Sequence, residues 1–354
     1  MSAVNKKLLC SLTADEVKTW VAAHGAPAFR AAQILGWIYR KRIIAPDLMS
    51  NLPPDLRQAL SEDFICASSA IESEAAAGDG TVKLLLRLHD GEAVEMVIIP
   101  APDRMTFCLS TQVGCPVQCR FCASGADGLV RNLDAGEMLE QFFHGCARIG
   151  GLPDNIVFMG IGEGLLNFSN LEKAVRLLCD PEYVGLGVRR ITVSTSGFVP
   201  GMRQLADLGR QVNLAVSLHA PDDATRAALI PDKLRYPIKE ILAACEYYRE
   251  KTGRMITFEY TLIDGINDKS GDAEKLAVIA KRMHAKVNLI PYNQTTPDFH
   301  RPPDKVIRNF QAILERYDIQ VTLRMEKGSK VSAACGQLRA KHASGGSNRV
   351  TADL

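Results

Sequence analysis

The run Gly114-Cys115-Pro116-Val117-Gln118-Cys119-Arg120-Phe121-Cys122 sets three cysteines at C-x3-C-x2-C spacing, with an aromatic directly before the last. Three thiolates can ligate three irons of a 4Fe-4S cluster. The fourth iron then has no protein ligand, and an open metal position is where a small chelating molecule binds. Electron-carrying ferredoxins close all four positions, so this spacing points to chemistry rather than electron storage. The competing readings are a zinc site and inert packing thiols. Zinc would ask for a fourth ligand and usually shows paired C-x2-C knuckles, which this chain lacks.

The spacing is similar to that of the radical-SAM superfamily, in which such a cluster reduces S-adenosyl-L-methionine (SAM) to a 5′-deoxyadenosyl radical. Around it, composition sets bounds. The chain has 354 residues, 47% of them hydrophobic, enough for one large domain with small appendages. No apolar run reaches the length of a membrane span, and Met1 to Leu9 lacks a secretory signal's apolar stretch. Ten cysteines in such a chain point to reduced thiols, metal binding or catalysis. The expected location is the cytoplasm. The net charge of +2 hides an asymmetry. Residues 1–60 carry eight Lys and Arg against four acids, and residues 326–354 five against two. Basic ends around an acidic middle suit a polyanionic partner; ordinary solvated surface is the bland alternative.

Periodicity divides the chain into four parts. Residues 1–75 read as a helical accessory region, opened by the capping box Thr13-Ala-Asp-Glu16. Residues 76–104 read as a small β extension, with Val82–Leu88 and Ala93–Ile99 joined through Asp90-Gly91. From 105 to 325, strand-like runs alternate with helical ones: Thr106–Ser110, Ile156–Met159, Ile191–Ser194, Val212–Ser217, Ile256–Leu262, Val287–Ile290 and Val321–Arg324. Repeated β-then-α units mean a parallel sheet, so the expected class is α/β, a partial (β/α)6-type barrel. Residues 326–354 form a terminal segment carrying Cys335.

In such a barrel the ligand lies beyond the C-terminal ends of the strands, and chemistry-bearing residues fall there. Met159-Gly160-Ile161-Gly162-Glu163 follows one strand; glycines admit close backbone approach and Glu163 can accept from an ammonium. This element is similar to the radical-SAM segment that holds the methionine amino group. Ser194 and Ser217-Leu218-His219 end two further strands, and Asn293 follows a fourth. Singly, each reads as a strand-end cap or a satisfied structural residue. On residue chemistry alone Cys108 and Cys335 are core thiols, although the small neighbours of Cys335 leave its sulfur room to move.

From about residue 10 to 342 the chain resembles the RlmN/Cfr family of radical-SAM RNA adenine methyltransferases. The resemblance rests on Val94-Glu95, Cys108, the cysteine run, Arg131-Asn132-Leu133, Gly162-Glu163, Ser217-Leu218-His219, Pro291-Tyr292-Asn293 and Ala334-Cys335-Gly336-Gln337-Leu338. It implies Cys115, Cys119 and Cys122 as cluster ligands, and Gly162, Glu163, Ser194, Ser217, Leu218, His219 and Asn293 as SAM contacts. It also implies two SAM molecules per turnover. One methylates Cys335. The other yields the radical that takes a hydrogen from that methyl group. The carbon radical then adds to an adenine ring carbon, Glu95 or Cys108 takes the ring proton, and Cys108 attacks the sulfur of Cys335, releasing product and a disulfide. The implied partners are 23S rRNA at the peptidyl-transferase centre, certain tRNAs and an electron donor such as flavodoxin, with the enzyme a monomer.

RlmN-like members act at adenine C2 and Cfr-like members at C8, the latter conferring antibiotic resistance. This chain has Ile161 where methionine is usual, and Gly164 where RlmN-like chains have proline and Cfr-like chains alanine. Leu165-Leu166-Asn167 and Pro291 follow the RlmN-like side, so C2 is the expected position. The alternatives are C8 chemistry, a radical-SAM enzyme of another substrate, and a non-catalytic iron–sulfur or RNA-binding scaffold. Cys335 and the basic N-terminal region argue against another substrate, and Glu163, Cys108 and Cys335 beside an intact cysteine motif argue against a scaffold.

Overall fold

The computed structural model describes residues 6–324, 328 and 332–338. The basic C-terminal stretch singled out by the charge count lies outside these residues, apart from the short segments named.

The N-terminal helices are α1 (Ala14–Ala23), α2 (Phe29–Leu35) and α3 (Pro54–Asp63). The capping box forms in both directions: Thr13 Oγ1 accepts from the Glu16 N–H, and Glu16 accepts from the Thr13 N–H at 2.8 Å. The helix that opens at Phe29 is α-helical to Leu35, then continues as a π turn through Gly36–Arg40. The buried Tyr39 hydroxyl donates to the Leu12 and Cys10 carbonyls, tying this turn back to the chain's start.

Four antiparallel strands follow: β1 (Ser69–Ala76), β2 (Val82–Leu88), β3 (Ala93–Ala101) and β4 (Arg104–Cys108). A separate ribbon, β5 (Gln112–Gly114) with β6 (Leu129–Asn132), is inserted after β4. From β4 onward all pairing in the main sheet is parallel, through β7 (Asn155–Phe158), β8 (Ile191–Thr195), β9 (Asn213–Ser217), β10 (Thr257–Leu262), β11 (Lys286–Pro291) and β12 (Val321–Leu323). The crossovers carry α4 (Ala135–Ile149), α5 (Phe168–Cys179), α6 (Val199–Asp207), α7 (Asp223–Leu229) with α8 (Ile238–Thr252), α9 (Ser270–Met283) and α10 (Asp304–Arg316). Six parallel β/α units result, with β1 and β12 at opposite ends of one ten-stranded sheet. The fold is therefore the expected α/β partial barrel with an antiparallel extension and an N-terminal helical region.

Sequence patterning missed β1, whose glutamates and alanines leave it mostly exposed, and the β5–β6 ribbon, too short to show alternation. One contact set fastens the helical region to the barrel. Glu140 on α4 is buried and accepts from Ser68 N–H, Ser68 Oγ and Ser69 Oγ at 2.7–2.8 and 2.6 Å. On the same helix a Cβ at Gly136 would sit 2.8 Å from Leu8 Cβ and 3.0 Å from Cys10 Sγ, so glycine there lets the chain's start pack directly on α4.

Candidate active site

The C-terminal ends of the parallel strands surround one cavity, and the cysteine loop forms part of its wall. The β5–β6 ribbon holds the base of that loop: the Cys115 N–H donates to the Gly128 carbonyl at 2.8 Å. Gly114 has φ +72°, and a Cβ there would lie 2.0 Å from the Gly128 oxygen, so only glycine allows this closure. Val117 and Phe121 pack with Leu229, Ile230, Ile263 and Tyr292 in a small apolar cluster against which all three cysteines rest. Burial pushes the Cys115 thiol up to about 12 and raises Cys119 and Cys122 as well. Three neighbouring thiols in an apolar setting give up their protons only to a cation, which is how a metal centre couples binding to proton release. Among the described residues no three His, Cys, Asp or Glu side chains lie close enough to grip a single ion. Three free thiols lining one cavity instead fit a polynuclear cluster.

The second wall is the turn after β7. A Cβ at Gly160 would meet Ser110 Oγ at 2.6 Å and one at Gly162, φ +112°, would meet Gln112 Cβ and Thr111 Oγ1 at 2.7 Å. The absence of side chains therefore lets this turn lie flat on the end of β4. The Glu163 N–H donates to Gln112 Oε1 at 2.8 Å, and the buried Glu163 carboxylate accepts from the Ser196 N–H at 2.6 Å. Burial raises the Glu163 carboxyl while these donors oppose the shift. A cationic ammonium entering the cavity would favour its ionised form.

The other strand ends complete the rim. Ser194, Ser217, His219 and Asn293 all line the cavity. Leu218 does not: its side chain is fully buried in the core, and its N–H is spent on the Val216 and Glu259 carbonyls. His219, at φ +55°, accepts at Nδ1 from the Thr261 N–H at 3.0 Å, which leaves the ring's proton on Nε2. Burial, with Arg226 nearby, depresses it to about 3, so it is neutral across the physiological range. Its ring stands edge-on to Phe121, 4.9 Å between centroids, and this explains the aromatic inside the cysteine motif.

Cys335 lines the same cavity, and so do Glu259 and Arg324. The segment bearing Cys335 is stitched to the cysteine loop: the Ala123 N–H donates to the Gly336 carbonyl at 2.7 Å and Ser124 Oγ to the Leu338 carbonyl at 2.6 Å. Cys108 is buried beneath, packed with Ala333 and Leu338. Burial, then the neighbouring Cys335, push its thiol up to about 12. Both sulfurs are free thiols, unbonded to each other. Glu95 lies in an adjoining pocket shared with Ser332 and Gln337 rather than in the main cavity. Three residues were not anticipated from the sequence. Arg226 is fully buried, donates to the Ser196 carbonyl and lies within electrostatic reach of Cys119 and Glu163. Arg324 lies within electrostatic reach of Cys335, Glu259 and Cys108, and Glu259 accepts from Asn288 Nδ2 at 2.7 Å. A buried arginine beside two cysteines is a contact between elements far apart in the chain, and no local pattern announces it.

Residues 109–277 match the radical SAM superfamily model, the class that the barrel and cysteine loop define. Residues 8–66 match the ribosomal RNA large subunit methyltransferase N-terminal domain. A relative from Akkermansia muciniphila, described as a probable dual-specificity RNA methyltransferase RlmN, is 43% identical over 341 residues, covering 94% of this chain and 95% of its own. One from Thermotoga neapolitana with the same description is 44% identical, covering 95% and 98%. The crystal structure of a radical SAM methyltransferase from Sphaerobacter thermophilus superposes with a TM-score of 0.91 at 45% identity, covering 95% of this chain and all of that one. The chain belongs to the RlmN family of radical SAM enzymes. Its cofactors are accordingly a 4Fe-4S cluster and SAM, two molecules of SAM per turnover, and the three thiols and Glu163 supply a donor set that fits them. Among the described residues no helix is long and apolar enough to cross a membrane.

Proposed function

We propose that this chain is an RNA methyltransferase that places a methyl group on a ring carbon of adenine, C2 in preference to C8, in 23S rRNA and tRNA. The observation that supports this reading is that Cys335 lines the same cavity as Cys115, Cys119, Cys122 and Glu163. A cysteine with room for a methyl group beside a SAM pocket is a carrier in reach of its donor. When bound, the cluster and SAM supply one-electron chemistry that an unactivated sp2 carbon requires.

The chain's own residues do the rest. Cys115, Cys119 and Cys122 hold the cluster. Glu163 pairs with the amino group of SAM, while Ser194, Ser217 and Asn293 offer hydrogen bonds around it and Gly162 leaves it space. The backbone around Leu218 shapes the rim, and His219 donates from Nε2. The Cys335 sulfur would take the methyl group from the SAM sulfonium and give up its proton, with Arg324 lining the same cavity. Once the methyl carbon is joined to the base, Glu95 or Cys108 accepts the ring proton. Once the adduct has also given up one electron, which the cluster would accept, the Cys108 thiolate attacks the Cys335 sulfur; the bond from that sulfur to the joining carbon breaks, the carbon takes up a proton to become the new methyl group, and a Cys108–Cys335 disulfide is left for a cellular reductant to reopen. The exposed Arg40 and Lys41 on the N-terminal region, with Arg42 beside them, suit phosphate contacts. The setting proposed is a reducing cytoplasm, the enzyme monomeric and served by a one-electron donor such as flavodoxin.

Anaerobic incubation of the reconstituted enzyme with SAM, reductant and rRNA or tRNA, followed by nucleoside mass spectrometry, tests this. The expected product is 2-methyladenosine. An 8-methyladenosine product would overturn the C2 assignment, and 5′-deoxyadenosine without methylated adenosine would overturn the substrate.

A further inference from the structure

Lys83 belongs to none of the groups described so far, yet it bridges two of them. It stands on β2, paired across the ladder with Val97, while Glu95 pairs with Leu85. Residues two apart share a face of a strand, so Lys83 and Glu95 are diagonal neighbours on one side of the sheet. The Lys83 ammonium lies 2.7 Å from Glu95 Oε1, with the two side chains 15% and 4% exposed. The same ammonium donates to the Ser332 carbonyl at 3.2 Å. Ser332 has φ +50° and precedes Cys335 by three residues. Two further ties dock the same segment on the start of β2: the Gly328 N–H donates to Asp79 Oδ2 at 3.0 Å, and Gly328 packs on Thr81.

The carboxylate is also left in an unusual condition. Glu95 Oε2 is buried and, among the described residues, has no hydrogen-bond partner, although Glu95 lines a pocket shared with Ser332 and Gln337. A buried carboxylate oxygen without a donor is costly, and the cost is tolerated when the oxygen has a task. Lys83 occupies one oxygen and thereby fixes which way the other is presented.

We propose that Lys83 is a positioning residue that couples the orientation of the Glu95 carboxylate to the docking of the loop that carries Cys335. This rests on the reading of Cys335 as methyl carrier and on Glu95, rather than Cys108, taking the ring proton. One ammonium with three donors serves both ends: it aims Glu95 with the first and pins Ser332 with the second. Release of the loop therefore withdraws a partner from the lysine that orients the proton acceptor. The step that needs both, removal of the ring proton while the base is joined to Cys335, is the step Lys83 governs. Transfer of the methyl group from SAM to Cys335 does not use Glu95, and at that step Cys335 is still held at the rim by the Asn293 amide, independently of Lys83.

The test compares Lys83→Met, which keeps the apolar stem but removes the charge, with Lys83→Arg, which keeps a cation. Three readouts are taken on the reconstituted full chain: the rate at which iodoacetamide alkylates Cys335, hydrogen exchange of the 332–338 segment, and the separate rates of Cys335 methylation and RNA methylation. In K83M, alkylation and exchange are expected to rise roughly tenfold, the scale of one lost charge-assisted hydrogen bond. RNA methylation should fall by more than tenfold while Cys335 methylation changes by less than about threefold. K83R should restore all of them substantially. Unchanged alkylation and exchange in K83M overturn the proposal, as does an equal loss of the two methylation rates. A wild-type enzyme that never methylates Cys335 instead overturns the carrier reading, and the alkylation and exchange data then report on loop docking alone. Should K83M fail to fold, K83Q serves the same comparison.

Discussion

The side-chain amide of Asn293 donates to the backbone carbonyl of Cys335 at 3.0 Å, across 42 residues of sequence. It joins the end of β11, on the cavity rim, to the loop behind the cysteine loop. One amide thus senses both the cofactor pocket and the carrier thiol. Asn293→Ala should cost about 1 kcal/mol of stability and slow Cys335 methylation, read by intact-protein mass. Asn293→Asp should be worse, because a carboxylate oxygen would face the carbonyl it now serves. If the aspartate variant methylates Cys335 at the wild-type rate, the contact has no role in holding the loop.

Burial and both partner thiols raise the Cys119 thiol well above its ordinary value. Cys119→Ala leaves two thiols, too few to retain a cubane well. Iron per chain, visible absorbance after anaerobic reconstitution, and release of 5′-deoxyadenosine should all collapse together. A brown Cys119→Ala protein that still cleaves SAM would disprove the ligand assignment.

The two other cysteines should fail differently. Cys335→Ala is expected to show neither protein methylation nor any RNA-linked species. Cys108→Ala should still acquire the methyl group and join the base, then stall as a covalent adduct visible on a denaturing gel, since no second thiolate attacks the carrier sulfur. Two ordinary buried thiols would produce modest stability losses and no adduct. Repeated turnover by Cys108→Ala would remove it from the mechanism.

Gly162 lies at φ +112° with no room for a Cβ against Gln112 and Thr111. Gly162→Ala should destabilise by about 2 kcal/mol or more, from backbone strain together with the clash. It should also weaken SAM binding, because Glu163 moves with it. Thermal unfolding and equilibrium dialysis with SAM check the two effects separately. Gly151, with nothing within 4 Å of its would-be Cβ, is the control: Gly151→Ala should change neither.

RNA capture is testable through salt. Arg40 and Lys41 are exposed at the end of the π turn, with Lys41 stacked over the Trp37 ring at 3.3 Å. Neutralising Arg40, Lys41 and Arg42 should lower affinity and flatten the log–log salt slope by about 0.7–0.9 per lost phosphate contact. Cys335 methylation should be untouched, since it needs no RNA. An unchanged slope would move the phosphate contacts to another surface.

The features legible along the chain are local in character. The C-x3-C-x2-C spacing, the β/α rhythm and the Thr13–Glu16 capping box are short-range patterns, because a helix or strand writes its own period into burial. The glycine pair before Glu163 was legible for the same reason, although the clash that demands it was not. Which residues share the cavity depends on how distant segments meet. Arg226 and Arg324 look like any other arginines until α7 and the end of β12 bring them beside Cys119 and Cys335. Lys83 and Ser332 are 249 residues apart and meet because the sheet carries the antiparallel extension round to the terminal loop. Such contacts depend on how the whole chain closes, and their energy comes from desolvated charge and hydrogen bonds between distant segments. No window of sequence holds Cys119 with Arg226 or Lys83 with Ser332, and so only the fold could bring them together.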